Sequence, residues 1–61
     1  GSVLDMNVLV IDDAKTILGI MEAWLKEKHH SVVTANSGQK GLEEFARQPF
    51  DLVVCDVEMP A

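Results

Sequence analysis

The run Val8–Ile11 contains four consecutive apolar residues, three of them β-branched, and it constrains the fold more than any other feature. A strand with one face in water alternates apolar and polar residues, whereas a continuously apolar run is typical of a strand buried on both faces. Strands buried in this way occur in parallel sheets that helices cover on both sides. The sequence therefore predicts a first strand at Asn7–Ile11, ended by Asp12 and Asp13.

A first helix is predicted from Ala14 to about Lys28, because apolar residues recur there at intervals of three and four. Asp13 is expected to cap its N-terminus, and Lys26 and Lys28 suit the partial negative charge at its C-terminus. The residues of the expected core-facing stripe are Ile17, Ile20, Met21, Trp24 and Leu25.

The rest of the chain repeats the alternation of strand and helix. A second strand is predicted at Ser31–Ala35, a second amphipathic helix from Ser37 to before Pro49, and a third strand at Leu52–Cys55. Phe45 and Trp24 are both expected to pack in the core. The order βαβαβ, with long right-handed crossovers, predicts an α/β fold with a three-stranded parallel sheet.

The length of 61 residues is close to the lower limit for a domain held by a hydrophobic core alone. Burial of roughly 3,500 Å² of apolar surface stabilises the fold by about 85–90 kcal/mol, and the conformational entropy lost on ordering the chain costs a similar amount. The single cysteine, Cys55, cannot form an internal disulfide. Additional buried surface is therefore expected to come either from a partner or from a remainder of the domain that this sequence does not contain.

The composition excludes several classes of function. The net charge of −5 repels phosphate backbones and anionic lipids, so no direct binding of nucleic acid or membrane is expected. No apolar run is long enough to span a bilayer, and the first residues do not form a signal peptide. A cytoplasmic location is therefore expected. Residues 1–2, Gly-Ser, look like the remnant of an expression tag.

Acidic residues follow two of the predicted strands. Asp12 and Asp13 come directly after the first strand, and Asp56 comes directly after the third. The carboxyl ends of neighbouring parallel strands meet at one edge of the sheet, where ligands bind in open α/β folds. If the first and third strands are neighbours, the three carboxylates meet in one crevice, where they repel each other unless a cation such as Mg²⁺ neutralises them or one of them is protonated. The alternative is that these aspartates only cap helices or lie solvated in loops.

Three motifs of the chain together point to a known family. They are Val8-Leu9-Val10-Ile11-Asp12-Asp13, Ala35-Asn36-Ser37-Gly38 followed by Gly41-Leu42, and Asp51-Leu52-Val53-Val54-Cys55-Asp56-Val57-Glu58-Met59-Pro60. Taken together, at this spacing, they resemble the first half of a receiver domain of bacterial two-component response regulators. The resemblance extends from Asn7 to Pro60 and implies half of a flavodoxin-like fold, with the three strands in the order 2-1-3.

The resemblance implies that Asp56 accepts a phosphoryl group from a histidine kinase or a phosphotransfer protein. It implies that Mg²⁺ is held by the carboxylates of Asp12, Asp13 and Asp56 and by the backbone carbonyl of Glu58. Met59-Pro60 would shape the loop after the acceptor. Phosphoryl transfer needs an oxygen nucleophile and a cation that neutralises the negative charge on the transferred oxygens. This set of residues can supply the nucleophile and bind the cation.

The chain also departs from the family. A receiver has fourth and fifth strands that supply a hydroxyl group, a lysine and a switching aromatic residue, so residues 3–61 are expected to be a truncated receiver and an impaired phosphoacceptor. The family usually has glycine where this chain has His29, and often alanine where it has Gly41. His29 and His30 are expected to be solvated turn residues and not metal ligands. Cys55 is expected to point into the core, away from the acceptor.

Two other classes of function stay open. A haloacid-dehalogenase-like phosphohydrolase also uses an aspartate after a buried strand, but its Asp-x-Asp-x-Thr motif differs from the segment that begins at Asp56. The other class is a structural half-domain that self-associates.

The edge of the third strand is expected to be unpaired, and it contains no proline or lysine that would discourage pairing. Whichever function applies, we expect a homodimer formed through that edge to complete the fold.

Overall fold

A computed structural model describes residues 5–56 of the chain. The elements are β1 (Asn7–Ile11), α1 (Lys15–Glu27), β2 (Ser31–Ala35), α2 (Gly38–Arg47) and β3 (Leu52–Cys55). All strand pairs are parallel, and the order across the sheet is β2-β1-β3. The predicted α/β class, the strand order and the five elements are confirmed.

The core lies on both faces of β1, as the continuous apolar run predicts. On one face, Val8 and Val10 pack with Leu18 and Leu25 of α1. On the other face, Leu9 and Ile11 pack with Ala35, the last residue of β2. None of these residues exposes more than 8% of its surface. The central strand is therefore the most buried element of the described chain.

The buried stripe of α1 differs from the predicted one. Leu18 and Leu25 are buried and Met21 packs against them, whereas Ile17, Ile20 and Trp24 are 43%, 60% and 55% exposed. The prediction failed because two adjacent stripes of this helix both show intervals of three and four residues. Only the position of the sheet decides which of them is covered.

The helix caps follow the prediction in part. Ala14, not Asp13, occupies the N-cap of α1 and makes no side-chain cap bond, so that prediction is wrong. Ser37 caps α2, because its hydroxyl accepts a hydrogen bond from the Lys40 N–H at 3.2 Å. Lys26 lies in the last turn of α1, as expected. A side-chain acceptor therefore fixes the start of α2 but not that of α1.

Gly41 lies at the contact between α2 and the central strand, and it is buried. A Cβ at this position would overlap the Ile11 Cδ1 atom and would lie 2.8 Å from Ile11 Cγ1. Glycine therefore allows α2 to lie close to β1. Phe45, one turn further along α2, is 56% exposed, so the expectation that it packs in the core is wrong.

No helix within residues 5–56 is both long enough and apolar enough to cross a membrane. The longer of the two helices, α1, has 13 residues.

Candidate functional site

Asp12 and Asp56 lie side by side at the carboxyl edge of the sheet. Ile11 of β1 pairs with Cys55 of β3, so the residues that follow these two strands begin at the same level. The Asp56 N–H donates to the Ile11 carbonyl at 3.1 Å, and the Asp12 N–H donates to the Ala35 carbonyl at 3.0 Å. Backbone bonds therefore hold both aspartates against neighbouring strands.

The carboxylates of Asp12, Asp13 and Asp56 form one cluster. One oxygen atom from each lies within 4.8 Å of those from the other two. Asp12 and Asp56 are half-buried, and Asp13 is exposed. Among residues 5–56, no other group of three or more His, Cys, Asp and Glu side chains comes together in this way. The convergence expected from the strand order is confirmed.

The spacing of these oxygens suits a small divalent cation. In octahedral coordination at about 2.1 Å, neighbouring ligand oxygens lie about 3 Å apart and opposite ones about 4 Å apart. Three carboxylate oxygens within 4.8 Å can meet this requirement with small adjustments. Carboxylate oxygen is also the donor that Mg²⁺ prefers. The donor type and the spacing therefore both fit Mg²⁺.

The local fold orients the first of these carboxylates. Asp12 Oδ1 accepts a hydrogen bond from the Ala14 N–H at 2.9 Å, where the chain turns into α1. This bond restricts the rotation of the carboxyl group and reduces the entropy lost when it binds a ligand. Asp13 lies inside that turn, which explains why it does not cap the helix. The sequence pattern predicts the cluster but not this turn.

The expectations for Glu58 and for the two histidines have different outcomes. The Glu58 carbonyl, together with Met59-Pro60, lies outside the described residues. His29 and His30 do not belong to the carboxylate cluster. His29 is an exposed turn residue as expected, but His30 is half-buried and its Nδ1 atom accepts a hydrogen bond from the Met6 N–H at 3.1 Å. His30 therefore supports the start of β1.

Cys55 does not pack in the core, contrary to expectation. Its thiol is exposed and borders an open apolar groove of about 400 Å³. The groove runs between α2 and β3, and its other lining residues include Leu42, Phe45 and Val53. The prediction failed because it assumed that an apolar strand residue has a covering helix. Within the described chain, neither helix lies over β3.

Comparisons with known proteins agree with this geometry. A scan against models of protein families matches "Response regulator receiver domain" over residues 8–61. The chain is 42% identical over 55 residues to the transcriptional regulatory protein ZraR of Escherichia coli K12, and 44% identical over 57 residues to the two-component response regulator ARR12 of Arabidopsis thaliana. Each alignment covers 90% of this chain.

A third relative is the signal transduction histidine-protein kinase BarA of Escherichia coli K12, 34% identical over 59 residues and 97% of this chain. The alignments cover 12% of ZraR, 10% of ARR12 and 6% of BarA, so the chain spans about a tenth or less of these relatives. No solved structure matches the chain significantly. Because the family match takes in nearly the whole chain, the chain belongs to the receiver domain family of two-component response regulators.

Proposed function

We propose that Asp56 is the phosphoacceptor of this receiver domain. One observation carries the proposal: the carboxylate that follows β3 lies within 4.8 Å of the two that follow β1. In this assignment Asp12, Asp13 and Asp56 hold Mg²⁺ through their carboxylates, and the Glu58 carbonyl completes the protein ligands. The phosphodonor is a phosphohistidine on a histidine kinase or a phosphotransfer protein.

The transfer needs a nucleophile held in place beside a site that neutralises charge. A carboxylate oxygen of Asp56 attacks the phosphorus atom, the new P–O bond forms, and the P–N bond to the donor imidazole breaks with its electrons going to that nitrogen. The hydrogen bond from the Asp56 N–H to Ile11 holds the backbone of the nucleophile in position. When bound, Mg²⁺ neutralises negative charge on the transferring oxygens.

Several wider assignments also belong to this proposal. Receiver domains act as signalling modules, and we assign no enzymatic turnover to this chain. Residues 3–61 are proposed to be the first part of a receiver, in a cytoplasmic protein that binds neither nucleic acid nor membrane through this segment. Slow phosphorylation compared with longer receivers stays a prediction. A homodimer through the third-strand edge is proposed as well.

Phosphorylation by a small donor tests the assignment of Asp56. We expect acetyl phosphate with Mg²⁺ to add one phosphoryl group to the chain, detected by intact mass, and chelation of Mg²⁺ to abolish the addition. Asp56→Asn should abolish it, because an amide is a poor nucleophile for this reaction. The matched control is Asp51→Asn at the other end of β3, where an amide oxygen can still accept the hydrogen bond from the Asn7 N–H.

Three outcomes would contradict the proposal. Phosphorylation of Asp56→Asn at the wild-type rate would place the acceptor elsewhere. Catalytic turnover of a phosphomonoester would instead favour the phosphohydrolase alternative. Failure of phosphorylation in a folded chain that still binds Mg²⁺ would leave the structural half-domain as the better description.

A further inference from the structure

Both half-buried carboxylates of the cluster depend on one residue of the central strand, Ile11. Asp12 follows Ile11 directly in the chain, and the Asp56 N–H donates to the Ile11 carbonyl at 3.1 Å. Ile11 is also the last residue of β1, and it pairs with Ala35 of β2 and with Cys55 of β3. A displacement of the Ile11 backbone would therefore be passed to Asp12 through the peptide bond and to Asp56 through a hydrogen bond.

The side chain of Ile11 is packed against Gly41 of α2. It is buried, in the same cluster as Leu9 and Ala35. A Cβ on Gly41 would overlap the Ile11 Cδ1 atom and would lie 2.8 Å from Cγ1 and 3.6 Å from Cγ2. Three atoms of one side chain thus border the space that any larger residue at position 41 would need. The backbone of Ile11 therefore holds the carboxylates, while its side chain fits against the helix.

A methyl group on Gly41 could not be accommodated by the tip of the Ile11 side chain alone. Cδ1 is the flexible end, but Cγ1 is bonded directly to Cβ, and a β-branched side chain has few favourable χ1 angles. Close packing with Leu9 and Ala35 also leaves little space for a different rotamer. The overlap would therefore be relieved by a shift of β1 or of α2.

A shift of α2 would reach the same site by a second route. The connection from β2 to α2 consists of Asn36 and Ser37 alone. The Gly41 N–H donates to the Ser37 carbonyl at 3.0 Å, so Gly41 lies in the first turn, next to this connection. The residue before the connection is Ala35, whose carbonyl accepts the Asp12 N–H at 3.0 Å. Movement of the first turn of α2 would therefore strain the hydrogen bond that holds Asp12.

We propose that Gly41 is a positioning residue for the phosphoacceptor site. By leaving space for the Ile11 side chain, it lets α2 and β1 lie close together while Asp12 and Asp56 keep their backbone hydrogen bonds. The inference rests on the proposed function and extends it to a residue outside the carboxylate cluster. Metal ligands must be held to within about 0.5 Å of the productive geometry, and changes in the residues that orient them commonly lower metal affinity about 10–100-fold.

Four chains test the proposal: the wild type, Gly41→Ala, Ile11→Val and the double variant. Gly41→Ala adds a methyl group on one side of the contact, and Ile11→Val removes one on the other side. The double variant therefore conserves the volume of the contact, a type of exchange that protein cores tolerate well. The matched control is Gly19→Ala in α1, where the new methyl group meets no atom within 4 Å.

The amide signals of Asp12 and Asp56, recorded without Mg²⁺, give the first readout. Both amides donate to carbonyls of neighbouring strands, and the chemical shift of an amide proton depends on the length of its hydrogen bond. Gly41→Ala should shift both signals, and adding Ile11→Val should return them towards their wild-type positions. Independent local effects of the two substitutions would instead add in the double variant.

Two amides at the opposite end of the sheet serve as an internal control. The Ser31 N–H donates to the Met6 carbonyl at 2.9 Å, and the Asp51 N–H donates to the Asn7 carbonyl at 2.8 Å. Their signals should keep their positions in all four chains. A merely structural role of Gly41 would lower the fraction of folded chain without moving the folded-state signals at either end of the sheet.

The second readout is the Mg²⁺ affinity, corrected for the fraction of folded chain. Because Gly41 acts on the ligands through Ile11, Gly41→Ala should raise the dissociation constant by about threefold to tenfold, below the range for residues that contact the ligands directly. Ile11→Val alone should also weaken binding, since it leaves a gap at the contact. The double variant, which fills that gap, should bind within about twofold of the wild type. If Gly41→Ala does not fold, Ile11→Val and the double variant make the comparison.

Unchanged Asp12 and Asp56 signals in Gly41→Ala, or shifts that Ile11→Val does not reverse, would overturn the proposal. A double variant that binds Mg²⁺ no more tightly than the single variants would overturn it as well. A wild-type chain that binds no Mg²⁺ would contradict the metal assignment of the proposed function, and the amide signals would still decide the role of Gly41.

Discussion

β1 and β3 have similar local sequences but very different environments. Val-Leu-Val-Ile of β1 is at most 8% exposed, whereas three of the four residues of Leu-Val-Val-Cys in β3 are exposed. The two helices lie over β1 and β2, and among the described residues neither lies over β3. An apolar run therefore indicates that a strand can be buried on both faces, while its position in the sheet decides whether it is.

The largest change in stability should come from truncating a leucine to alanine in β1, and the same truncation in β3 should have much less effect. Leu9→Ala, at a site with 0% exposure, should lower the free energy of unfolding by about 2–5 kcal/mol. Leu52→Ala, at 42% exposure, should lower it by less than about 1 kcal/mol. Urea unfolding at a single low protein concentration measures both changes. Equal losses of stability would show that Leu52 is as well buried in solution as Leu9.

A smaller loss of stability is expected from a substitution where α2 contacts β1. Gly41→Ala should destabilise the fold by about 1–3 kcal/mol, because the new methyl group overlaps the Ile11 side chain. Adding Ile11→Val, which removes the overlapping Cδ1 atom, should recover part of that loss. Gly19→Ala is the matched control: its new methyl group meets no atom within 4 Å, and the change should stabilise α1 by about 1 kcal/mol.

A failure of rescue would change the interpretation of Gly41. If Gly41→Ala with Ile11→Val is no more stable than Gly41→Ala alone, the overlap with Ile11 is not the cause of the loss. If Gly41→Ala is itself neutral, α2 can move away from β1 at little cost, and the packed half of the sheet is less rigid than the structure indicates.

Mg²⁺ should reduce the difference in local stability between β1 and β3, because the proposed ligands follow the ends of both strands. At a concentration ten times its dissociation constant, the ion should stabilise the fold by about 1.4 kcal/mol. Amide exchange should slow in β3 more than in β1, since β3 has fewer contacts to lose. Asp13→Asn should weaken the effect while leaving the exposed turn intact. Stabilisation of that variant equal to that of the wild-type chain would argue against the assigned site.

The predictable part of this fold follows from local patterns. The apolar run of β1 and the alternation of strands and helices were sufficient to predict a parallel sheet. The strand order came from the resemblance to receivers, and with that order the aspartates after β1 and β3 predict the carboxylate cluster. The orientation of α1 and the exposure of Cys55 were not predictable, because they depend on which surfaces the neighbouring elements cover. The turn from Asp12 to Ala14 was missed since an aspartate can accept from several nearby N–H groups.

The smallest effect is expected at the end of α1, where His29 has a φ of 70°. The His29 N–H donates to the Lys26 carbonyl at 2.9 Å and the His30 N–H to the Leu25 carbonyl at 3.1 Å, the bonds of a Schellman motif with His29 in the left-handed position. Histidine is strained there and glycine is not, although glycine loses more entropy on folding. His29→Gly should therefore stabilise the fold by about 0.5–1 kcal/mol in urea unfolding. His30→Gly is the contrasting control and should destabilise it, because it removes the Nδ1 acceptor for the Met6 N–H. A loss of stability in His29→Gly would mean that the imidazole of His29 makes a contact in solution worth more than the strain.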